Sequence, residues 1–471
     1  MKSDDTFEKV SIEQTLNEIL FKMEVIVVLN EDQRYAVDLV SEGHNIFLTG
    51  AAGTGKSLTI GTIVSDAQAA GRTVYVTAST GVAASLLSSS VDTGVRTLHS
   101  WGGIGLGAYT PHAHASFISK NAGISKRIKE TDLLIIDEVS MCDPKYIAKL
   151  DSVVRLVRGS TMPFGGIQVV MSGDFSQLPP VSKGTPYYLF EDDVWGALIS
   201  ETVILSKVYR QTKQVFVDVL TKIRSNDVDD EVVRVIQATA KNKLANVQGI
   251  KPTVLFCCNK DVDKINSAEL DKLAGDPYVH AAVDSYSCPG AAKEHSSNFN
   301  LAQTLSLKVG AQVMLLVNID PDAGLVNGAR GVVVGVSPTE TPPTVSVVFA
   351  SGLVRVFGVS AQEIKDERGN VVASRRQFPL RLAWSTTIHK SQGTTIDLLV
   401  VDLNGCFAPG QAYVAISRGT SLETMRVLNF SRRAVISSKK VDKFNRIAAR
   451  KYKVRVEEEV VEPTLKKLKS C

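Results

Sequence analysis

Residues 50–57 read Gly-Ala-Ala-Gly-Thr-Gly-Lys-Ser, the pattern G-x-x-x-x-G-K-[ST], entered from the apolar run Ile46, Phe47, Leu48 and left through a helix-compatible stretch from Leu58. Such a loop constrains the fold strongly, because it works only where a buried strand feeds the positive N-terminus of a helix. Gly50, Gly53 and Gly55 let the backbone wrap a polyphosphate without Cβ clashes, so that N–H groups along Ala51, Ala52 and Thr54 turn inward. Lys56 then reaches the β and γ phosphates, and Ser57 is placed to ligate Mg²⁺. The competing reading is a plain glycine-rich turn, and the flanking strand and helix argue against it.

The bulk figures narrow the choice only a little. At 471 residues and 44% apolar content the chain can bury two or more cores. Apolar runs such as 25–29 and 398–401 fall far short of the ~18 residues that span a bilayer. The N-terminus carries Asp4, Asp5 and Glu8, so neither a membrane anchor nor a secretory or transit peptide is expected. Six scattered cysteines form no metal-type pairs, which fits a reducing compartment, and Cys257-Cys258 reads as a strand end. The net charge of +4 is uneven: residues 431–471 hold 13 Lys/Arg against 5 Asp/Glu, which leaves the first 430 residues at −4. This basic C-terminal tail meets nucleic acid, acts as an import signal around Lys466-Lys467-Leu468-Lys469, or is simply a solvated end.

Short apolar runs at 46–49, 74–77, 133–136 and 167–171 alternate with helical patterns, the writing of a parallel sheet covered on both faces. The reading is therefore an α/β fold with a first core over residues 1–200. A second alternating region takes 201–307 and resumes over 380–430. Between them, residues 308–379 turn Val- and Gly-rich with Pro321, Pro338, Pro342 and Pro343, and predict an all-β insertion.

Each motif falls where a parallel sheet gathers its functional loops, at strand C-termini. Leu133-Leu134-Ile135-Ile136 delivers Asp137, suited to hold Mg²⁺, and Glu138, suited to polarise the attacking water. Guanine recognition would require Asn-Lys-x-Asp. Asn259-Lys260-Asp261 puts its carboxylate one place early and reads as a helix start, so ATP is favoured over GTP. Gly173-Asp174-Phe175-Ser176-Gln177-Leu178-Pro179-Pro180 offers the Gln177 amide to a γ-phosphate, with Phe175 read as packing. Arg210 and Arg418 each follow an apolar segment of the second region. Each is either a surface cation or a finger for charge developing on a transferring phosphoryl group. Two such fingers facing the phosphate loop would make a cleft that closes on ATP.

The set of the phosphate loop, Asp137-Glu138-Val139-Ser140-Met141, Pro163-Phe164-Gly165-Gly166-Ile167-Gln168, the Gly173 motif, Tyr209-Arg210-Gln211, Ile388-His389-Lys390-Ser391-Gln392-Gly393 and Gln411-Ala412-Tyr413-Val414-Ala415-Ile416-Ser417-Arg418 resembles the Pif (petite integration frequency) family of DNA helicases, over roughly residues 28–430. The resemblance implies two RecA-like phosphate-loop domains, an SH3-like insertion in the second, and an ATP- and Mg²⁺-dependent motor moving 5′ to 3′ on single-stranded DNA. It also implies activity on tailed duplex or structured DNA, with RNA–DNA hybrids among the candidates. A monomer working in genome maintenance (replication, repair, recombination, telomere upkeep) is expected in the nucleus, with the mitochondrion the secondary location because no transit peptide is visible. Carried over by position, Gln33 matches the adenine reader and Gly393 the nucleotide side of its motif. Lys56, Ser57, Asp137, Glu138, Gln177, Arg210 and Arg418 match the hydrolytic set. The DNA side matches Thr80 and Gly81, His99, Ser100 and Trp101, and His389 and Lys390, loops suited to phosphate contacts and base stacking.

One departure is Ala78-Ser79-Thr80-Gly81, where the family writes proline at the second position. Another is a short, Ser-rich 87–96, where the family carries a strand-separating wedge. Val326-Asn327-Gly328-Ala329-Arg330-Gly331 resembles part of the SH3-like insert. Core-histidine readings stay open for His99 and His389, and hydrophobic filling for Trp101, while Tyr413 reads as packing. A RecD-like or relaxase-associated helicase, and a DNA-stimulated ATPase that remodels without separating strands, are the alternatives.

Overall fold

The computed structural model describes residues 28–468 apart from positions 89, 92, 106, 183, 289–295, 297–298, 300, 318, 321–322, 324, 326–327, 339–341 and 366–370. The acidic N-terminal lead, Pro321, Val326, Asn327 and the side chains of the Lys466 to Lys469 cluster lie outside the described residues.

Strands β1 (Ile46–Gly50), β2 (Val74–Ala78), β3 (Val95–Thr97), β4 (Leu133–Asp137), β5 (Gln168–Ser172) and β6 (Glu201–Leu205) form one sheet in the order β3-β2-β4-β5-β1-β6, with every pairing parallel. β1 and β5 are buried along their whole length, because helices cover both faces of a parallel sheet. Alternate residues show this directly. Phe47, Leu134 and Met171 enter one apolar cluster, and Ile46, Ile135 and Val170 enter another. Parallel pairing brings all the strand C-termini to one edge, where the phosphate loop, the acidic pair and the Gly173 motif therefore meet.

The expected boundary between residues 200 and 201 is corrected. β6 pairs with β1 from Ile46↔Glu201 to Gly50↔Leu205, and Val203 and Leu205 are buried in the first core. Arg210 therefore stands on the connector leaving the first sheet rather than inside a second one.

β7 (Thr253–Phe256) starts the second sheet and leads into the helix Asn259–Asp271. The chain then leaves through β8 (Tyr278–Ala281), β9 (Val283–Tyr286), β10 (Thr304–Leu307), β11 (Gln312–Leu315), β12 (Arg330–Ser337), β13 (Thr344–Phe349), β14 (Val354–Gly358), β15 (Ser360–Lys365), β16 (Val371–Gln377) and β17 (Leu380–Leu382). It returns as β18 (Ser385–Thr387), β19 (Leu399–Asp402) and β20 (Met425–Leu428), completing a parallel sheet in the order β18-β7-β19-β20. Within the excursion, β14-β13-β12-β11-β17 form a five-stranded antiparallel sheet.

The β excursion is longer than the expected 308–379. β8 pairs with β10, β9 pairs with β16, and β17 adds to β11. Leu305 and Leu307 bury in the same cluster as Val313, Val345 and Phe378, so they belong to that core. β8 and β9 are four residues long and half-exposed, which gave too few alternations to register in the sequence.

The basic tail is also corrected. Residues 439–468 form one helix, Lys439–Leu468, whose first half returns to the first core. Val441 is buried there, and the Phe444 ring stacks on Phe190 with centroids 4.3 Å apart and meets Phe47, Phe175 and Trp195. Tyr452 Oη donates to Asp32 Oδ1 at 2.8 Å, one residue from Gln33.

Candidate functional site

The first core supplies one wall of a cleft. Gly53 and Gly55 have φ of +82° and +87°, and a Cβ on either would lie 2.5 Å from Arg210 Cβ or 2.6 Å from Gln33 Nε2. Glycine is thus required both for the turn and for the approach of Arg210 and Gln33. The helix Lys56–Ala69 starts without a side-chain cap, leaving its first N–H groups open to an anion. Lys56 Nζ donates to the Gly50 carbonyl at 2.9 Å and the Ala51 carbonyl at 3.1 Å. Burial pulls its pKa down, opposed by Asp174, Glu138 and Asp137. Ser57 is exposed in the first helical turn.

Burial and then the adjacent Glu138 push Asp137 up to about 6. A hard divalent cation would remove that cost, and Ser57 supplies a neutral oxygen in the same cavity. Glu138 occupies the left-handed region (φ 54°, ψ 45°), a conformation that costs a non-glycine residue about 1 kcal/mol or more. Its carboxylate accepts from Gln392 Nε2 at 2.9 Å.

The opposite wall is the buried helix Gln411–Ile416 and the turn after it. Gly410 caps this helix at φ +74°, with the Ser176 and Gln177 carbonyls 2.4 and 2.5 Å from where a Cβ would stand. The two walls can meet there only because residue 410 has no side chain. Tyr413 Oη accepts from the Ala52 N–H of the phosphate loop at 2.9 Å. Arg418 is 1% exposed, and its guanidinium donates to the carbonyls of Val414 and Thr394 and to Ser417 Oγ. Arg210 Nη1 donates to the Ser417 carbonyl at 3.2 Å.

Neither arginine has a carboxylate ion pair among the described residues. Burial, and then the neighbouring Arg210, pull Arg418 down to about 9, still above neutrality, and burial lowers Arg210 as well. Two cations held side by side in a desolvated cleft favour an anion between them. Five buried glutamines each leave one polar atom unpaired: two are donors that suit an anion, and three are acceptors that need a donor such as water. Gln33 Nε2, Gln177 Oε1, Gln211 Oε1, Gln392 Oε1 and Gln411 Nε2 are buried without a hydrogen-bond partner, a state that costs about 1–3 kcal/mol per group until a ligand satisfies it. A cavity of about 530 Å³ opens from Ser57, Asp137, Glu138 and Gly393 toward Arg330 and Phe349 of the β excursion.

Sequence reasoning missed three participants. Tyr413 reads as packing, yet its hydroxyl holds the phosphate loop. Asp174 Oδ2 and Oδ1 accept from Arg224 Nε and Nη2, each at 2.9 Å, joining the two cores through a pair no local pattern announces. Gln392 reads in the sequence only as one letter of its motif, and its contact with Glu138 spans 254 positions.

The DNA-side candidates divide. Thr80 Oγ1 caps the helix Gly81–Leu87 by accepting from the Ala83 N–H, and Gly81 is exposed. In the helix Leu98–Gly102, His99 and Ser100 face outward, with the His99 ring 4.3 Å from Tyr146. Trp101 is corrected: at 0% exposure it lies in the first core and offers no face to a base. Leu98 and Trp101, three apart, share the inward side of that turn. His389 is half-buried against Phe407, with ring centroids 6.4 Å apart, and Lys390 is exposed. Partial desolvation by the surrounding protein lowers the pKa of His389 and, although their side chains reach solvent, of His99 and Lys390.

A family model described as PIF1-like helicase matches residues 28–236, and one described as DNA helicase Pif1, 2B domain, matches 296–336. The ATP-dependent DNA helicase PIF1 of Homo sapiens is 40% identical over 409 residues, covering 86% of this chain and 62% of that protein. The chain thus spans about three fifths of the length of that relative. The crystal structure of the Pif1 helicase from Candida albicans superposes with a TM-score of 0.79 at 37% identity, covering 89% of this chain and 99% of that one. The Bacteroides sp Pif1 in complex with ADP-AlF4 gives 0.73 at 30% identity, covering 90% and 98%. With such identity sustained across nearly the whole of those solved chains, this chain belongs to the PIF1-like helicase family.

Proposed function

We propose that this protein is an ATP-dependent DNA helicase that moves 5′ to 3′ on single-stranded DNA and separates tailed or structured duplexes. The observation that carries the reading is the pair of fully buried Arg418 and half-buried Arg210, which face Glu138 and have no carboxylate ion pair among the described residues. ATP is the anion that such a cleft accommodates. Lys56 and the open N–H groups of its helix hold the β and γ phosphates. Glu138 takes the proton of the attacking water, Gln177 responds to the γ-phosphate, and Arg210 and Arg418 stabilise charge on the transferring group. Mg²⁺, held by Ser57 and Asp137, would neutralise phosphate charge. Gln33 lies against Gly55, where it can read the adenine, and Gly393 borders the cavity lined by Ser57, Asp137 and Glu138.

Thr80, Gly81, His99, Ser100, His389 and Lys390 are proposed to grip the strand at the C-terminal ends of β2, β3 and β18. Closing the cleft would then change their separation and drive a step. The relatives' names support DNA as the partner, and RNA–DNA hybrids, action as a monomer, residence in the nucleus or mitochondrion, and roles in telomere upkeep and recombination belong to the same proposal. No helix among the described residues is long and apolar enough to cross a membrane.

The test is unwinding of duplexes bearing a 5′ or a 3′ single-stranded tail, with ATP turnover measured in parallel. Unwinding only from a 3′ tail overturns the polarity. DNA-stimulated turnover without unwinding favours the remodelling ATPase.

A further inference from the structure

The loop after β18 touches three functional groups at once. Its turn His389–Ser391 leaves Lys390 exposed and sets the His389 ring beside Phe407, which is 64% exposed. Next along, Gln392 is buried and donates to Glu138 Oε2 at 2.9 Å. Two residues further, the Thr394 carbonyl accepts from Arg418 Nη1 at 3.2 Å.

This loop is tied to itself. The Lys390 N–H donates to Thr387 Oγ1 at 3.3 Å, Ser391 Oγ to the Ile388 carbonyl at 2.8 Å, and Thr394 Oγ1 to the Ser391 carbonyl at 2.7 Å. A turn held at each residue moves as a unit, so displacement at Lys390 reaches Gln392 without being absorbed between them. Gly393, at φ +81°, also brings the loop against Leu86, whose Cδ1 lies 2.8 Å from where a Cβ would stand, on the helix capped by Thr80.

Glu138 is poorly constrained from its own side. It sits alone in the left-handed region between β4 and a short turn, and no other side chain among the described residues hydrogen-bonds its carboxylate. The Gln392 carboxamide fixes one carboxylate oxygen and leaves the other free, while its own buried Oε1 has no partner and can accept from a water at the same place.

We infer that Gln392 is a positioning residue through which a strand bound at His389 and Lys390 aligns the Glu138 carboxylate, so that DNA raises turnover rather than nucleotide affinity. This rests on the proposed ATP-driven, DNA-binding function.

The experiment uses the full chain with Gln392→Met, which keeps volume and loses the donor, and Gln392→Glu, which keeps the shape but cannot donate when ionised. ATP turnover is measured with and without saturating oligo-dT, alongside the Kd for oligo-dT by fluorescence anisotropy. In both variants DNA-stimulated kcat falls about tenfold or more, as misplacement of a catalytic group requires. The ratio of stimulated to unstimulated rate falls with it, while KM for ATP and the Kd stay within about twofold. A packing role would leave Gln392→Met at the wild-type ratio. A wild-type ratio in either folded variant, or a loss confined to KM or Kd, overturns the inference. Wild-type turnover that ignores DNA overturns the proposed function itself, and this inference with it.

Discussion

Asp174 and Arg224 form a bidentate ion pair with both arms at 2.9 Å, and the carboxylate has no exposed surface. Asp174 follows β5 in the first core, and Arg224 ends the helix Gln214–Arg224 in the second, so the pair is a buried bolt between the two walls of the cleft. Burial alone would raise the Asp174 pKa, but Arg224 outweighs it and holds it below the usual carboxylate value.

Asp174→Ala should therefore destabilise the protein by about 3–5 kcal/mol, because it strands a buried guanidinium. Asp174→Leu combined with Arg224→Met should recover most of that loss, measured by denaturant unfolding. A depressed folded pKa contributes stability above the unfolded value near 3.8 that disappears as pH falls through the folded one. The wild type should then lose stability below about pH 4 more steeply than the double variant does.

Glu138→Gln should retain ATP binding while turnover falls on the order of 10²-fold or more, since the amide cannot accept the proton from water. Equilibrium binding of a fluorescent ATP analogue and steady-state phosphate release check the two halves. Near-normal turnover would move the base to another residue.

Tyr413→Phe removes the acceptor of the Ala52 N–H. The nucleotide-free protein should lose about 1–2 kcal/mol of stability, and saturating ATP should shrink the difference, because a phosphate oxygen takes over the amide. Thermal melts with and without nucleotide read this directly.

Trp101→Ala should behave as a core deletion, costing about 3–5 kcal/mol of stability. His99→Ala should leave stability nearly unchanged and weaken oligo-dT binding. A Trp101 variant that folds normally but binds DNA poorly would restore the stacking role.

Removing residues 454–471 should leave the fold intact, whereas removing 439–471 exposes Phe47, Phe175 and Trp195. Phe444→Ala alone should cost about 3 kcal/mol or more. The salt dependence of oligo-dT binding separates the two halves of the tail: a shallower slope after the shorter truncation marks phosphate contacts beyond residue 453.

The sequence by itself determined the parallel sheets and the loops at their C-terminal ends, because β1, β4 and β5 are buried on both faces and appear as continuous apolar runs. It also located the phosphate loop and the Asp137-Glu138 pair, where the residues concerned are neighbours along the chain. The tertiary structure decided whatever depends on contact between distant segments. β6 belongs to the first sheet because Val203 and Leu205 bury beside Ile46 and Leu48, although local pattern is equally compatible with the second. The direction of Trp101 is set by a single helical turn, and one turn is too short for periodicity to reveal. The contacts of Asp174 with Arg224, Tyr413 with Ala52 and Gln392 with Glu138 join residues 50, 361 and 254 positions apart. Such pairs leave no mark on local pattern, because their energy comes from desolvation and hydrogen bonding that exist only once the two cores have closed on each other.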